Sequence, residues 1–147
     1  MTKLEIRNSK LAPKQAAPSS AVKDFKDLTA WKLARELRRA VYEITRKFPA
    51  EEKYVLTAQM RRAAISVTAN LAEGFGRFSY QENLQFCRHS RGSAAKLRDH
   101  FTTALDAGYI STDEMNRLDE LTQRFVQVIN GYIRATKARQ QARADEE

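Results

Sequence analysis

The spacing of the apolar residues constrains this chain most. Leu33, Leu37, Val41, Ile44 and Phe48 recur three or four residues apart, which places them on one side of an α-helix. Three later segments repeat the pattern. None alternates apolar and polar residues between turn signals, as a half-buried strand would. Such a chain is restricted to packing helix against helix.

Local chemistry supplies the boundaries. A first helix is expected over 24–47, ended by Pro49. A second spans 50–74, with Glu51 and Glu52 at its positive end. A third spans 79–106, opened by Ser79 and Glu82 in a capping box and closed at Gly108. A fourth spans 111–141, opened by Ser111 and Glu114, with a stripe of Met115, Leu118, Leu121, Phe125, Val128 and Tyr132. Residues 142–147 are expected to fray. Residues 1–23 hold Pro13 and Pro18 and no sustained period, and are read as a flexible basic tail. The expected architecture is all-α: one antiparallel up-down four-helix bundle over 24–141, with helices of about 36 to 45 Å.

Composition narrows the function classes. In 147 residues there is one cysteine, Cys87; it has no partner for an internal disulfide, and no Cys/His cluster suggests zinc. No apolar run approaches the roughly 20 residues of a membrane span, and the N-terminus does not resemble a secretory signal. A reducing cytoplasm is the expected setting. The net charge is +8, concentrated in the first half: residues 1–23 carry +4 and residues 24–47 carry +3, whereas residues 109–147 carry −1. A basic first half points to an anionic partner, nucleic acid first, with solubility alone as the plainer explanation.

Helical faces give the candidate sites. On the first helix Trp31, Arg35, Arg38, Tyr42 and Arg46 lie off the core arc, with Arg39 beside them. Guanidinium groups interleaved with aromatic rings suit phosphates and bases; they equally suit a subunit interface. On the third helix Arg88, Arg91 and Arg98 share one side. Gly92 in the interior of that helix costs about 1 kcal/mol against alanine, an expense that close packing against another helix would offset. The second helix is apolar on two sides. Leu56, Met60, Ala63, Val67, Leu71 and Gly74 form its core arc; Ala58, Ile65, Ala69 and Ala72 form a second face. That face is read as covered by another subunit, the alternative cover being one of the tails.

Catalytic constellations are tested and set aside. No Glu has a His three residues later, so the inward-facing Glu-x-x-His ligands of a di-iron bundle are missing. His89 and His100 are about 16 Å apart along a helix axis, too far to hold one ion. No metal site, cofactor or enzymatic activity is expected. Glu73 has Arg77 one turn later and Arg62 on its own face, so it is read as an ion-paired structural carboxylate.

Three segments carry a family resemblance: "DLTAWKLARELRRAVYEIT"; "FPAEEKYVLTAQMRRAAISVTANLAEGFGR", with Gln59, Arg62, Asn70, Glu73, Gly74 and Arg77 in place; and "RGSAAKL", with Arg91, Gly92 and Ser93. From Phe25 to about Tyr109 the chain resembles the four-helix bundle proteins encoded in 23S ribosomal RNA intervening sequences. It departs from them at Lys96, where they usually have glutamate. The resemblance implies a homopentameric barrel of antiparallel bundles and no enzymatic activity. It also implies kinship with the accessory variability determinant of diversity-generating retroelements, which binds nucleic acid and a reverse transcriptase. In such a ring Asn70 would bond exposed backbone at the turn after the second helix. Glu73 would pair with Arg77, Arg62 or Arg91, and Gly74 and Gly76 would let the chain reverse. The expected function is that of a non-enzymatic, oligomeric basic protein binding RNA or DNA mainly through phosphate contacts. The alternative is a scaffold for a protein partner such as a reverse transcriptase.

Overall fold

The computed structural model describes residues 22–147. Four α-helices account for most of them: α1 (Thr29–Thr45), α2 (Leu56–Phe75), α3 (Tyr80–Asp106) and α4 (Thr112–Glu146). Two 3-10 turns, Phe25–Asp27 and Ala50–Glu52, precede α1 and α2. No strand occurs among the described residues. Both α1 and α3 pack against α2 and α4, so the chain forms the expected four-helix bundle, with α1 and α3 on opposite corners.

Side-chain caps set the helix starts. Ser111 Oγ accepts from the Glu114 amide at 3.1 Å while Glu114 Oε1 accepts from the Ser111 amide at 3.0 Å, a full capping box. At α3 half of it forms: Ser79 Oγ accepts from the Glu82 amide. Before α1, Asp27 Oδ2 takes the amides of Lys23 and Asp24, and these bonds hold the Asp27 carboxyl below its ordinary value. This turn lies inside the stretch expected to open the first helix, which starts instead at Thr29. The expected tail also ends earlier, because Val22 packs half-buried against the core; residues 1–21 lie outside the described residues.

The second expected helix is split. Val55, at φ −115° and ψ −100°, breaks it after the 3-10 turn. Glu52 then caps the restart, its Oε1 accepting from the Leu56 amide at 3.4 Å. The other Glu52 oxygen accepts from Tyr109 Oη at 2.8 Å, and the Tyr109 ring meets buried Phe48 at a 45° tilt, 5.3 Å between centres. This clasp, with the Lys47–Glu114 ion pair, ties the end of α1 to the start of α4.

The core runs the length of the bundle through Leu37, Val41, Met60, Val67, Leu71, Leu97, Phe101, Leu118, Phe125 and Ile129, all essentially buried. On α4 its line is Leu118, Thr122, Phe125, Ile129, Ile133 and Thr136, rotated from the expected stripe. Met115, Leu121, Val128 and Tyr132 flank it half-buried. The two threonines fit because each hydroxyl bonds the carbonyl four residues back, Thr122 to Leu118 and Thr136 to Tyr132, both at 2.8 Å, so neither hydroxyl is buried without a partner. α4 continues to Glu146 through the stretch expected to fray. At 35 residues it is about 52 Å long, and its exposed last turns run beyond the start of α3.

Contact between α2 and α3 is close. Ser90 Oγ donates to the Val67 carbonyl at 2.7 Å across the seam. A Cβ on Gly74 would lie 2.8 Å from the Cβ of Phe86. Gly74 is therefore required for helix contact, not for chain reversal: among the described residues only Gly108 has positive φ. Gly92 behaves oppositely. It is exposed, and a Cβ there would meet nothing within 4 Å, so no close packing among the described residues offsets its cost. Gly74→Ala should lower the stability measured by thermal or denaturant unfolding by about 1–3 kcal/mol through overpacking. Gly92→Ala should raise it by roughly 0.5–1 kcal/mol.

Candidate nucleic-acid interface

The surface of α1 is built in two layers. The inner layer closes the seam with α2. Arg38 Nη1 donates to Thr68 Oγ1 at 2.9 Å. From the other side, Arg61 Nε donates to Thr45 Oγ1 at 2.9 Å, and its guanidinium lies 4.8 Å above the half-buried ring of Tyr42. Arg61, which interrupts the apolar side of α2 in sequence, is thus a seam residue. Trp31 belongs to the interior as well. Expected on the solvent face, it is only 9% exposed. The Phe25 ring meets it edge-on at 5.4 Å, and Arg35 covers it, 5.8 Å from the ring centre.

The outer layer is mainly cationic, with Glu36 and Glu43 exposed at its border. Arg35, Arg39 and Arg46 are exposed, and Arg39 and Arg46 make no ion pair among the described residues. With Arg38, Tyr42 and Glu43 the latter two line a shallow, open cleft of about 420 Å³. Lys32, absent from the expected set, is exposed on the same side, where the helical wheel places it.

On α3 the expected basic residues are mostly engaged elsewhere. Arg91 Nη1 donates to Asn130 Oδ1 at 2.8 Å. Arg98 forms a fork with Asp119 at 2.6 and 3.5 Å. Arg88 alone of the three is exposed without an ion pair among the described residues. Because α1 and α3 occupy opposite corners, Arg88 and the α1 arginines do not form one surface within a chain.

The motif at the end of α2 is structural in its contacts. Glu73 Oε1 accepts from Arg77 at 2.6 Å, one of the three pairings considered for it. Asn70 does not serve the turn: its Nδ2 donates back to the Ser66 carbonyl at 2.8 Å and to Ser66 Oγ at 2.9 Å. Ser66 Oγ in turn lies 2.8 Å from Ser93 Oγ on α3, so Asn70 anchors a polar link between helices. Gln59 and Arg62 face solvent. So does the stripe of Ala58, Ile65, Ala69 and Ala72: Ile65 is 44% exposed, Ala69 is exposed, and the two outer alanines are half-buried.

The profile of the 23S rRNA-intervening sequence protein matches residues 26–131, well over half of the chain. The chain belongs to the 23S rRNA-intervening sequence protein family. No curated protein matches it. The span matched by this family runs from the 3-10 turn before α1 into the second half of α4, so it contains both the seam and the cationic layer. No helix of the described residues is long and apolar enough to cross a membrane.

Cys87 is buried, and burial pushes its thiol up to about 12, far from a reactive thiolate. No three His, Cys, Asp or Glu side chains there come together as metal ligands.

Two ion pairs hold carboxyl groups below their ordinary values. Lys47 holds the Glu114 carboxyl below its ordinary 4.5. Burial pushes Asp119 up, but hydrogen bonds from Arg98 and Gln123 outweigh it and hold the carboxyl below 3.8. A depressed folded pKa contributes stability that is full above the unfolded value and is lost as pH falls through the folded one. The melting temperature should therefore hold down to about pH 5 and drop below about pH 4. Asp119→Asn should shallow that acid decline while costing no more than about 1 kcal/mol at neutral pH.

Proposed function

We propose that this member of the 23S rRNA-intervening sequence protein family is a non-enzymatic, oligomeric protein that binds nucleic acid through phosphate contacts made by the outer layer of α1. The observation that carries this is the contrast between layers. Arg38 and Arg61 are committed to the seam, whereas Arg39 and Arg46 stand exposed beside a cleft with no carboxylate paired to them among the described residues. Exposed guanidinium groups held on a rigid helix suit phosphate oxygens. The buried thiol of Cys87 and the ion-paired Glu73 support a role without catalysis.

Self-association, as a pentamer, is part of the proposal. The outer stripe of α2 presents Ile65 and Ala69 exposed between half-buried Ala58 and Ala72. A ring would repeat the cationic layer around its circumference, so weak contacts would add. Light scattering should give a pentamer mass. Ile65→Asp should dissociate it with helix content retained, and a parent protein that is monomeric at micromolar concentration would overturn the assembly.

Binding should be steeply salt-dependent and nearly indifferent to sequence, since no recognition helix or base-reading element is offered. On duplex DNA the slope of log K against log[salt] should be about −0.9 per phosphate neutralised, so Arg39→Gln/Arg46→Gln should make it shallower by about 1.8 per bound chain. Glu43→Gln, which removes the carboxylate lining the cleft, should tighten binding. If the parent bound neither RNA nor DNA at about 50 mM salt, the partner would have to be a protein.

A further inference from the structure

We infer that the cationic layer of α1 is built for double-stranded rather than single-stranded nucleic acid, an inference that rests on the phosphate-binding role proposed above. Lys32, Arg35, Arg39 and Arg46 lie on one exposed side of α1. At 100° per residue they fall within an arc of about 60°, and at 1.5 Å per residue the row is about 21 Å long and straight. Each member offers a charge and hydrogen-bond donors and nothing else.

Proteins that hold single strands combine such charge with exposed rings, and stacking supplies about 1–3 kcal/mol per base. On this face no ring is free to do so. Trp31 is buried with Arg35 over it, and the half-buried Tyr42 ring, which lines the cleft, has Arg61 over one face. The strongly exposed aromatics Tyr54 and Phe78, 82% and 107% exposed, flank α2 at opposite ends, and Lys53 already lies over the Tyr54 ring. Without a stacking term, affinity follows the charge density of the polymer. A duplex carries about one phosphate per 1.7 Å of axis, and its counterion release per neutralised phosphate exceeds that of a single strand, about 0.9 against 0.7. A straight row of cations meets that density most fully on a duplex, whose backbone is rigid over 21 Å and needs no ordering on binding.

The test compares the full-length protein on a duplex RNA of about 20 base pairs and on each of its separated strands, by fluorescence anisotropy at about 100 mM salt. The duplex should bind about tenfold more tightly or better, and Tyr42→Leu should leave single-strand affinity within about twofold. Equal or tighter binding of the single strands would overturn the inference. So would a fall of about fivefold or more in single-strand affinity on Tyr42→Leu, since it would make that ring a stacking platform. Weakening of duplex binding by Arg39→Gln/Arg46→Gln locates the site on this row; an unchanged duplex affinity would overturn both this inference and the assignment of α1. Binding of neither form by the parent would remove the phosphate-binding role itself.

Discussion

Arg61 over the ring of Tyr42, with its Nε bonded to Thr45 Oγ1, is the contact on which the character of the α1 surface depends. A guanidinium cannot be drawn toward a helix seam without partners for its donors and its charge. Here a π face, a threonine hydroxyl and solvent at the edge supply them. The return contact, Arg38 to Thr68, does the same from α1. Between them they close the seam with polar groups and engage Tyr42, one of the two rings that periodicity assigns to the surface. What stands fully exposed on α1 is Lys32, Arg35, Arg39 and Arg46 beside Glu36 and Glu43, with no fully exposed ring among them, and this favours the phosphate contact without base stacking proposed for the face.

Part of this was legible in the sequence. Helix number, order and most termini follow from periodicity and from caps that act over three residues: Ser79, Ser111 and Gly108 all sit where local chemistry placed them. The Glu73–Arg77 pair was legible for the same reason, being one turn long. Failures share a cause in contacts made across helices. Trp31 lies on the same side of the wheel as Arg38, and only the 3-10 turn that brings Phe25 against it makes it a core residue. Asn70 near a helix end suggested service to the turn, whereas Ser66 and Ser93 offered a nearer set of partners. On α4 the larger side chains drew the expected stripe away from Thr122 and Thr136, which are buried because their hydroxyls are satisfied within the helix.

Glycine shows the same division. Gly74 and Gly92 are alike in sequence, each inside a helix that could use any residue. One sits against Phe86 with no room for a methyl group; the other faces open space. Their difference lives wholly in tertiary packing. The exposed position of Gly92 and the partly exposed stripe on α2 mark surfaces whose composition the single chain does not explain, and the proposed assembly gives them a use.

The division of the arginines into seam and surface is the central claim, and it is tested most directly by comparing Arg61→Gln with Arg39→Gln in the same two assays, thermal unfolding and nucleic-acid affinity at low salt. Arg61→Gln should lower the melting temperature by several degrees, as expected for loss of about 1–2 kcal/mol, while the folded protein still binds. Arg39→Gln should leave the melting temperature within about a degree and weaken binding. A destabilised Arg39→Gln protein, or an Arg61→Gln protein that keeps its stability and loses its binding, would contradict the account.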